Sequence, residues 1–139
     1  DAFWNKRDNY QTSVWNVKDP SDCIDQPGGG FKPPTLEDSK RKRQQALKGD
    51  WAAFGGMWYQ SYGHYGHDHL PTIAYLRQAL PETTKFLLID HPIAHKTLQE
   101  IDPTFYRRIQ WIQPNTIYHI LGKLTVAVRR EYHIPVGCC

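Results

Sequence analysis

The sequence predicts an α/β fold: a partial Rossmann-like, mostly parallel sheet with crossover helices, preceded by an irregular aromatic arm. Two observations predict the sheet. The second half alternates proline-opened amphipathic stretches with short apolar runs, which is the rhythm of strands joined by crossover helices. Its longest apolar run, Phe86-Leu87-Leu88-Ile89, has the length of a buried strand and is far too short to cross a bilayer. A third observation predicts the arm: residues 1–34 carry turn chemistry instead, with Asp19-Pro20-Ser21-Asp22, Pro27-Gly28-Gly29-Gly30 and Pro33-Pro34. A chain of 139 residues has room for one core, and its 40% apolar and 13% aromatic content is that of a folded protein.

In chain order, Trp4, Tyr10, Trp15 and Phe31 suggest that the arm lies against a surface. Thr35 to Asp38 offers an N-cap with acids in the first turn and Gly49 a stop, so a basic helix is expected between them. The expected division is 1–50 for arm and basic helix, then 51–139 for the Rossmann-like domain. The cluster Lys40, Arg41, Lys42, Arg43 is a solvated helix face in the simplest reading and a phosphate or anionic-glycan contact in the functional one. The net charge of only +3, with no basic stripe interleaved with aromatics, argues against nucleic acid as a partner.

From Asp50 to Gly66 aromatics crowd among glycines: Trp51, Phe54, Trp58, Tyr59, Tyr62 and Tyr65 beside Gly55, Gly56, Gly63 and Gly66. Flat rings stack on sugars, although core packing is their commoner use. Leu70, Ile73, Ala74, Leu76 and Leu80 then form a helical face, with Pro71 in the first turn and Pro81 as terminator. Strands are expected at Lys85–Ile89, Arg108–Ile112, Thr116–Ile120 and Leu124–Val128, and a helix opened by Pro92 carries Ala94, Leu98 and Ile101.

The three cysteines, Cys23, Cys138 and Cys139, are too few for a disulfide framework and lack zinc-site spacing. A bond from Cys23 to the carboxyl end and three reduced thiols are equally open readings. The start at Asp1 and the lone methionine, Met57, read as a processed product or a segment of something longer.

The most unusual stretch is Tyr62-Gly63-His64-Tyr65-Gly66-His67-Asp68-His69-Leu70-Pro71. His64 and Asp68 are four apart, so helical backbone puts them on one face within hydrogen-bonding reach. A carboxylate that fixes an imidazole tautomer makes a pair able to exchange a proton near neutral pH. Helix capping by Asp68 is the structural alternative. A metal-binding module is a further reading, from His64, His67 and His69 within six residues and His91 and His95 at i, i+4 spacing. Against it stand the absence of HExxH and of any Cys-x-x-Cys.

The wider pattern resembles glycosyltransferase family 61. It runs Tyr62-x-His64-x-x-x-Asp68-x-Leu70-Pro71, an amphipathic helix, then Phe86-Leu87-Leu88-Ile89, and continues through His95–Ile101, Arg108–Ile112, Tyr118-His119-Ile120 and Leu124–Val128. The likeness covers about residues 54–130, roughly half the chain. It implies a GT-B enzyme of two Rossmann-like domains, inverting sugar transfer from a nucleotide sugar to a glycan or protein acceptor, and no required metal or other cofactor. It implies His64 and Asp68 as catalytic residues and Trp58, Tyr59, Tyr62 and His67 as substrate-binding ones. It further implies a secretory-pathway location (Golgi or ER lumen) or an extracellular one. Members of the family carry a second domain that supplies most of the donor site, so an isolated chain of this length is expected to be inactive. The reading from a different class is a non-catalytic structural or accessory subunit, assembled with other chains, that keeps a transferase-like fold.

Overall fold

The computed structural model describes the backbone of residues 2–6, 11–15 and 23–25 and the full residues 40–54, 61–113 and 116–127. It is an α/β structure with two sheets and parallel strands in the majority of its pairings. The strands are β1 (Ala2–Lys6), β2 (Gln11–Trp15), β3 (Cys23–Asp25), β4 (Arg43–Leu47), β5 (Trp51–Phe54), β6 (Lys85–Ile89), β7 (Ile109–Ile112), β8 (Thr116–Ile120) and β9 (Leu124–Val126). Between β5 and β6 lies a continuous helical stretch: α1 (Tyr62–His64), a π-helical turn π1 (Tyr65–His69) and α2 (Leu70–Ala79). Helices α3 (Pro92–Ile101) and α4 (Pro103–Tyr106) connect β6 to β7.

One sheet is wholly parallel, in the order β7-β6-β5-β9. Its central strands β5 and β6 are buried almost throughout, as strands covered on both faces must be. Ile73 and Leu76 of α2, Ile93, Ala94 and Leu98 of α3, and Phe105 of α4 complete the core over it. Phe105 stands edge-on to Phe86 at 4.7 Å. Burying a side chain of this size is worth about 1.5–3 kcal/mol, so these connections are held chiefly by their apolar faces. The expected strand Lys85–Ile89 and the proline-opened helix at Pro92 form as read. Ile101 at the end of that helix is exposed instead of packed.

The other sheet has the order β3-β2-β1-β8-β4 and is mixed: β1, β2, β3 and β8 pair antiparallel, whereas β4 runs parallel to β8. Two expectations are corrected here. Part of the arm expected to be irregular supplies three paired strands, with Phe3 opposite Tyr118 and Trp4 opposite Ile117. The expected basic helix is a strand over Arg43–Leu47. The residues Arg-Gln-Gln-Ala-Leu favour helix on their own, but Thr116, Ile117 and Tyr118 at the centre of β8 are buried and need backbone partners on both edges. That demand outweighs a propensity of a few tenths of a kcal/mol per residue. Arg43 is exposed at the start of this strand and Arg41 just before it, while Lys40, also exposed, is on helical backbone.

Two chain segments cross from one sheet to the other together. Arg43 lies opposite Thr116 in the first sheet and Trp51 opposite Leu124 in the second, so β4–β5 and β8–β9 keep one residue offset through the crossing. Leu121 N–H donates to Leu47 C=O at 2.9 Å and Trp51 N–H to Lys123 C=O at 2.8 Å. Asp50 ties the turn down: its carboxylate accepts from Lys123 N–H at 3.0 Å and its carbonyl from Lys85 N–H at 3.1 Å. Gly49 has φ +86°, a left-handed conformation that glycine adopts without steric cost. Gly122 packs so tightly that an added Cβ would lie 2.6 Å from the Gly49 carbonyl carbon, and closer still to its oxygen.

Because the obstacle at Gly122 is backbone, Gly122→Ala is expected to cost about 1–3 kcal/mol, the usual range for forced overpacking. Gly49→Ala meets open space and pays only the left-handed conformation, about 1 kcal/mol. Thermal denaturation of both variants checks the order; equal losses would place the strain elsewhere.

Candidate functional site

Strand order in the parallel sheet reverses beside β5: the chain steps from β5 to β6 to β7 on one side, and β9 lies on the other. In open parallel sheets the crevice at the carboxyl ends of strands flanking such a reversal is where ligands bind. The helical stretch that follows β5 therefore starts beside the favoured position.

His64 and Asp68 face each other across one turn, with Nδ1 and Oδ2 3.0 Å apart. An ionised carboxylate only accepts, so His64 donates from Nδ1 and the basic lone pair of the neutral ring falls on Nε2. Both side chains are partly open to solvent, 52% for His64 and 38% for Asp68. The contact read from their spacing forms. The capping alternative does not, since Asp68 lies inside the π-turn and its carbonyl accepts from the Thr72 hydroxyl at 3.0 Å. Helical backbone runs on through His69, so no helix begins at Asp68. The π-turn closes with Leu70 N–H on Tyr65 C=O, and such single turns recur at functional sites.

The aromatics divide. Trp51, Phe54 and Tyr65 belong to the core, whereas Tyr62 is 66% exposed and His67 is exposed one turn beyond it. Trp58 and Tyr59 lie outside the described residues. So do Cys138 and Cys139, while only the backbone of Cys23, in β3, is described, which leaves the expected bond beyond what the structure describes.

The histidines are not gathered at one point. His69 is buried, stacked on Tyr65 at 5.4 Å and edge-on to Phe54 at 5.3 Å. His91 is the N-cap of α3, its Nδ1 accepting from Ile93 N–H at 3.3 Å. Burial lowers its pKa, and the charge of Asp90 opposes the shift only in part. Among the described residues no group of three or more His, Cys, Asp or Glu converges as metal ligands would. Among the described residues the Tyr65 hydroxyl is buried without a hydrogen-bond partner, beside a small void walled by Phe54, His69, Leu88 and Ala94, and burial pushes its pKa well up.

One arrangement escaped sequence reading. His95 sits between Asp90 and Tyr106: Nε2 is 2.8 Å from Asp90 Oδ1, and Nδ1 is 2.7 Å from the Tyr106 hydroxyl. Trp111 of β7 lies over the imidazole with ring centres 3.9 Å apart. The signals were an acid directly after a strand and a histidine five residues on. Neither spacing is a motif, and Tyr106 and Trp111 join only through the crossover. Asp102, further along, caps α4 by accepting from Phe105 N–H at 2.9 Å and takes Arg77 Nε at 3.3 Å; these contacts, the Phe105 bond foremost, lower its pKa.

The larger concavities among the described residues lie elsewhere. A groove of about 570 Å³ runs between α2 and α3, and one of about 540 Å³ lies at the amino edge of the parallel sheet. The chain matches no family model, and no curated protein or solved structure is significantly similar to it. Among the described residues no helix is long and apolar enough to cross a membrane.

Acid sensitivity follows from His91 and Asp102. A histidine whose folded pKa is lowered stabilises the fold while neutral. Its contribution is complete above the ordinary value near 6.5 and is lost as pH falls through the lower folded value. Asp102 adds a second loss at lower pH, as pH falls below the usual 3.8 through its depressed folded value. Melting temperature against pH should therefore fall in two stages. His91→Asn, which keeps a capping side chain, should remove the first stage alone. A second prediction concerns Tyr65→Phe, which deletes a buried hydroxyl unpaired among the described residues and should stabilise by about 1–3 kcal/mol in denaturant titration.

Proposed function

We propose that this chain supplies the acceptor-binding part of a sugar-transferring enzyme resembling glycosyltransferase family 61. In this reading residues 51–139 form a Rossmann-like domain of a GT-B arrangement, working in the secretory pathway or outside the cell. A nucleotide sugar is the donor, a glycan or protein hydroxyl the acceptor, and no metal is required. The observation that carries the reading is the His64–Asp68 contact, in the helical stretch that follows β5 beside the reversal of strand order.

The chemistry follows from the tautomer. As the acceptor oxygen attacks the anomeric carbon, the bond from that carbon to the nucleotide's phosphate oxygen breaks and the nucleotide leaves with the bonding pair. The acceptor hydroxyl gives up its proton to His64 Nε2, the basic atom of the pair. Asp68 holds the ring in that tautomer and offsets the positive charge that develops on it. Tyr62, exposed two residues before His64, presents an aromatic face to a sugar ring. The resemblance adds Trp58 and Tyr59, a few residues earlier in the sequence, as further substrate-binding residues. The donor nucleotide is held by a second domain, as the resemblance implies.

In the enzyme that contains both parts, Asp68→Asn should lower turnover by about a hundredfold or more, because the amide no longer fixes or balances the imidazole. Melting temperature should hardly move, since an exposed pair of this kind is worth about 0–1 kcal/mol. Full turnover in a folded Asp68→Asn enzyme would overturn the assignment. Sugar transfer or hydrolysis by the isolated 139-residue chain, above a denatured control, would overturn the division of labour.

A further inference from the structure

We infer that Asp90 is a hydroxyl-binding carboxylate that takes a vicinal diol of a sugar ring, and that His95 and Tyr106 hold it in position for that purpose. The inference deepens the sugar-transfer reading and rests on it for the class of ligand, not for the existence of the site.

For a neutral imidazole the hydrogen bonds leave one consistent assignment. The Asp90 carboxylate can only accept, so His95 donates to it from Nε2; the neutral ring then accepts at Nδ1, and the Tyr106 hydroxyl is the donor there. Both imidazole nitrogens are thereby used, which removes His95 from the list of bases, nucleophiles and metal ligands. Its role is to fix the carboxylate. Trp111 and Tyr106 flank the ring and hold its plane.

Among the described residues Oδ2 of Asp90 is left unengaged. The side chain is 48% exposed, and its only hydrogen bond among the described residues is the one to His95 through Oδ1. Asp90 directly follows Ile89, so it stands at the carboxyl end of β6, the strand beside β5 and its following helix. An acid at the end of a neighbouring parallel strand is well placed to accept from two adjacent ring hydroxyls, one on Oδ2 and one on the second lone pair of Oδ1. Stability does not account for the arrangement, because an exposed His–Asp contact is worth little. Half-buried Trp111 adds an aromatic surface close by for the apolar face of a ring.

The diol belongs either to the ribose of a nucleotide or to a pyranose of a glycan, and separate arms distinguish them. Ligand-observed NMR titration of the full chain with uridine, 2′-deoxyuridine and methyl β-D-galactopyranoside reads affinity without requiring transfer. Binding of uridine but not of 2′-deoxyuridine identifies ribose; binding of the glycoside identifies the glycan. For whichever ligand binds, Asp90→Asn should weaken affinity by roughly tenfold or more, since the amide offers one acceptor in place of two. Tyr106→Phe should weaken it by a smaller factor. It should also shift the His95 ring-nitrogen resonances away from a pure Nε2–H tautomer, a signature that a merely structural tyrosine would leave unchanged.

Failure of wild type to bind either diol in the tens of millimolar would overturn the inference, and so would unchanged affinity in a folded Asp90→Asn protein. Diol binding that depends on Asp90, in a protein whose two-part enzyme shows no transfer, would uphold this site while removing the transferase reading. Transfer that is lost in Asp68→Asn but keeps its acceptor and donor KM in Asp90→Asn would do the reverse.

Discussion

The backbone contact at Gly49 and Gly122 is the constraint on which the rest of the structure depends. Two segments that are far apart in sequence must change sheets at one level, side by side, without losing their pairing. A side chain at residue 122 would force them apart. With none there, Lys48–Asp50 and Leu121–Lys123 stack closely enough for Asp50 to bind both β9's leading residue and the start of β6. The mixed sheet and the parallel sheet are then fixed to each other through the paired β4–β5 and β8–β9 crossings and their one shared register.

That junction sets where the two exposed histidine–aspartate contacts lie. It anchors the amino ends of β5, β6 and β9, so the opposite edge receives the carboxyl ends and the segments that follow them. His64–Asp68 comes after β5 and Asp90–His95 after β6. The amino edge serves a different purpose: the Arg108 guanidinium donates to the carbonyls of Pro81 and Thr84 and lies over Phe86 and Phe105, closing the core beneath it.

Histidine chemistry in this molecule is decided by neighbours. His69 is buried between aromatic rings, His91 caps a helix through Nδ1, His64 holds a carboxylate one turn away, and His95 spans a carboxylate and a phenol. The same side chain is core packing, a cap, a carboxylate's partner one turn away and a bridge between an acid and a phenol. Only the acceptor or donor opposite each nitrogen distinguishes them.

The sequence by itself determined the elements whose partners are close in the chain. Lys85–Ile89 is a continuous apolar run, Pro92 opens a helix, and Ile73 and Leu76 recur at helical spacing. These signals lie within a few residues, and the structure follows them. The His64–Asp68 contact was legible for the same reason, since four residues on helical backbone bring two side chains together. Tertiary structure decided what depends on distant partners. Arg43–Leu47 has the composition of a helix and becomes a strand because β8 needs a neighbour. The arm gains β1 because the other edge of β8 needs one too. Thr116–Ile120 reads as one more strand of the parallel sheet and instead joins the mixed one. The Asp90–His95–Tyr106 chain was hidden because its tyrosine arrives over a crossover helix. Strand pairing and side-chain relays satisfy backbone and polar groups through partners that local spacing does not encode, so their formation is settled only when the sheets assemble.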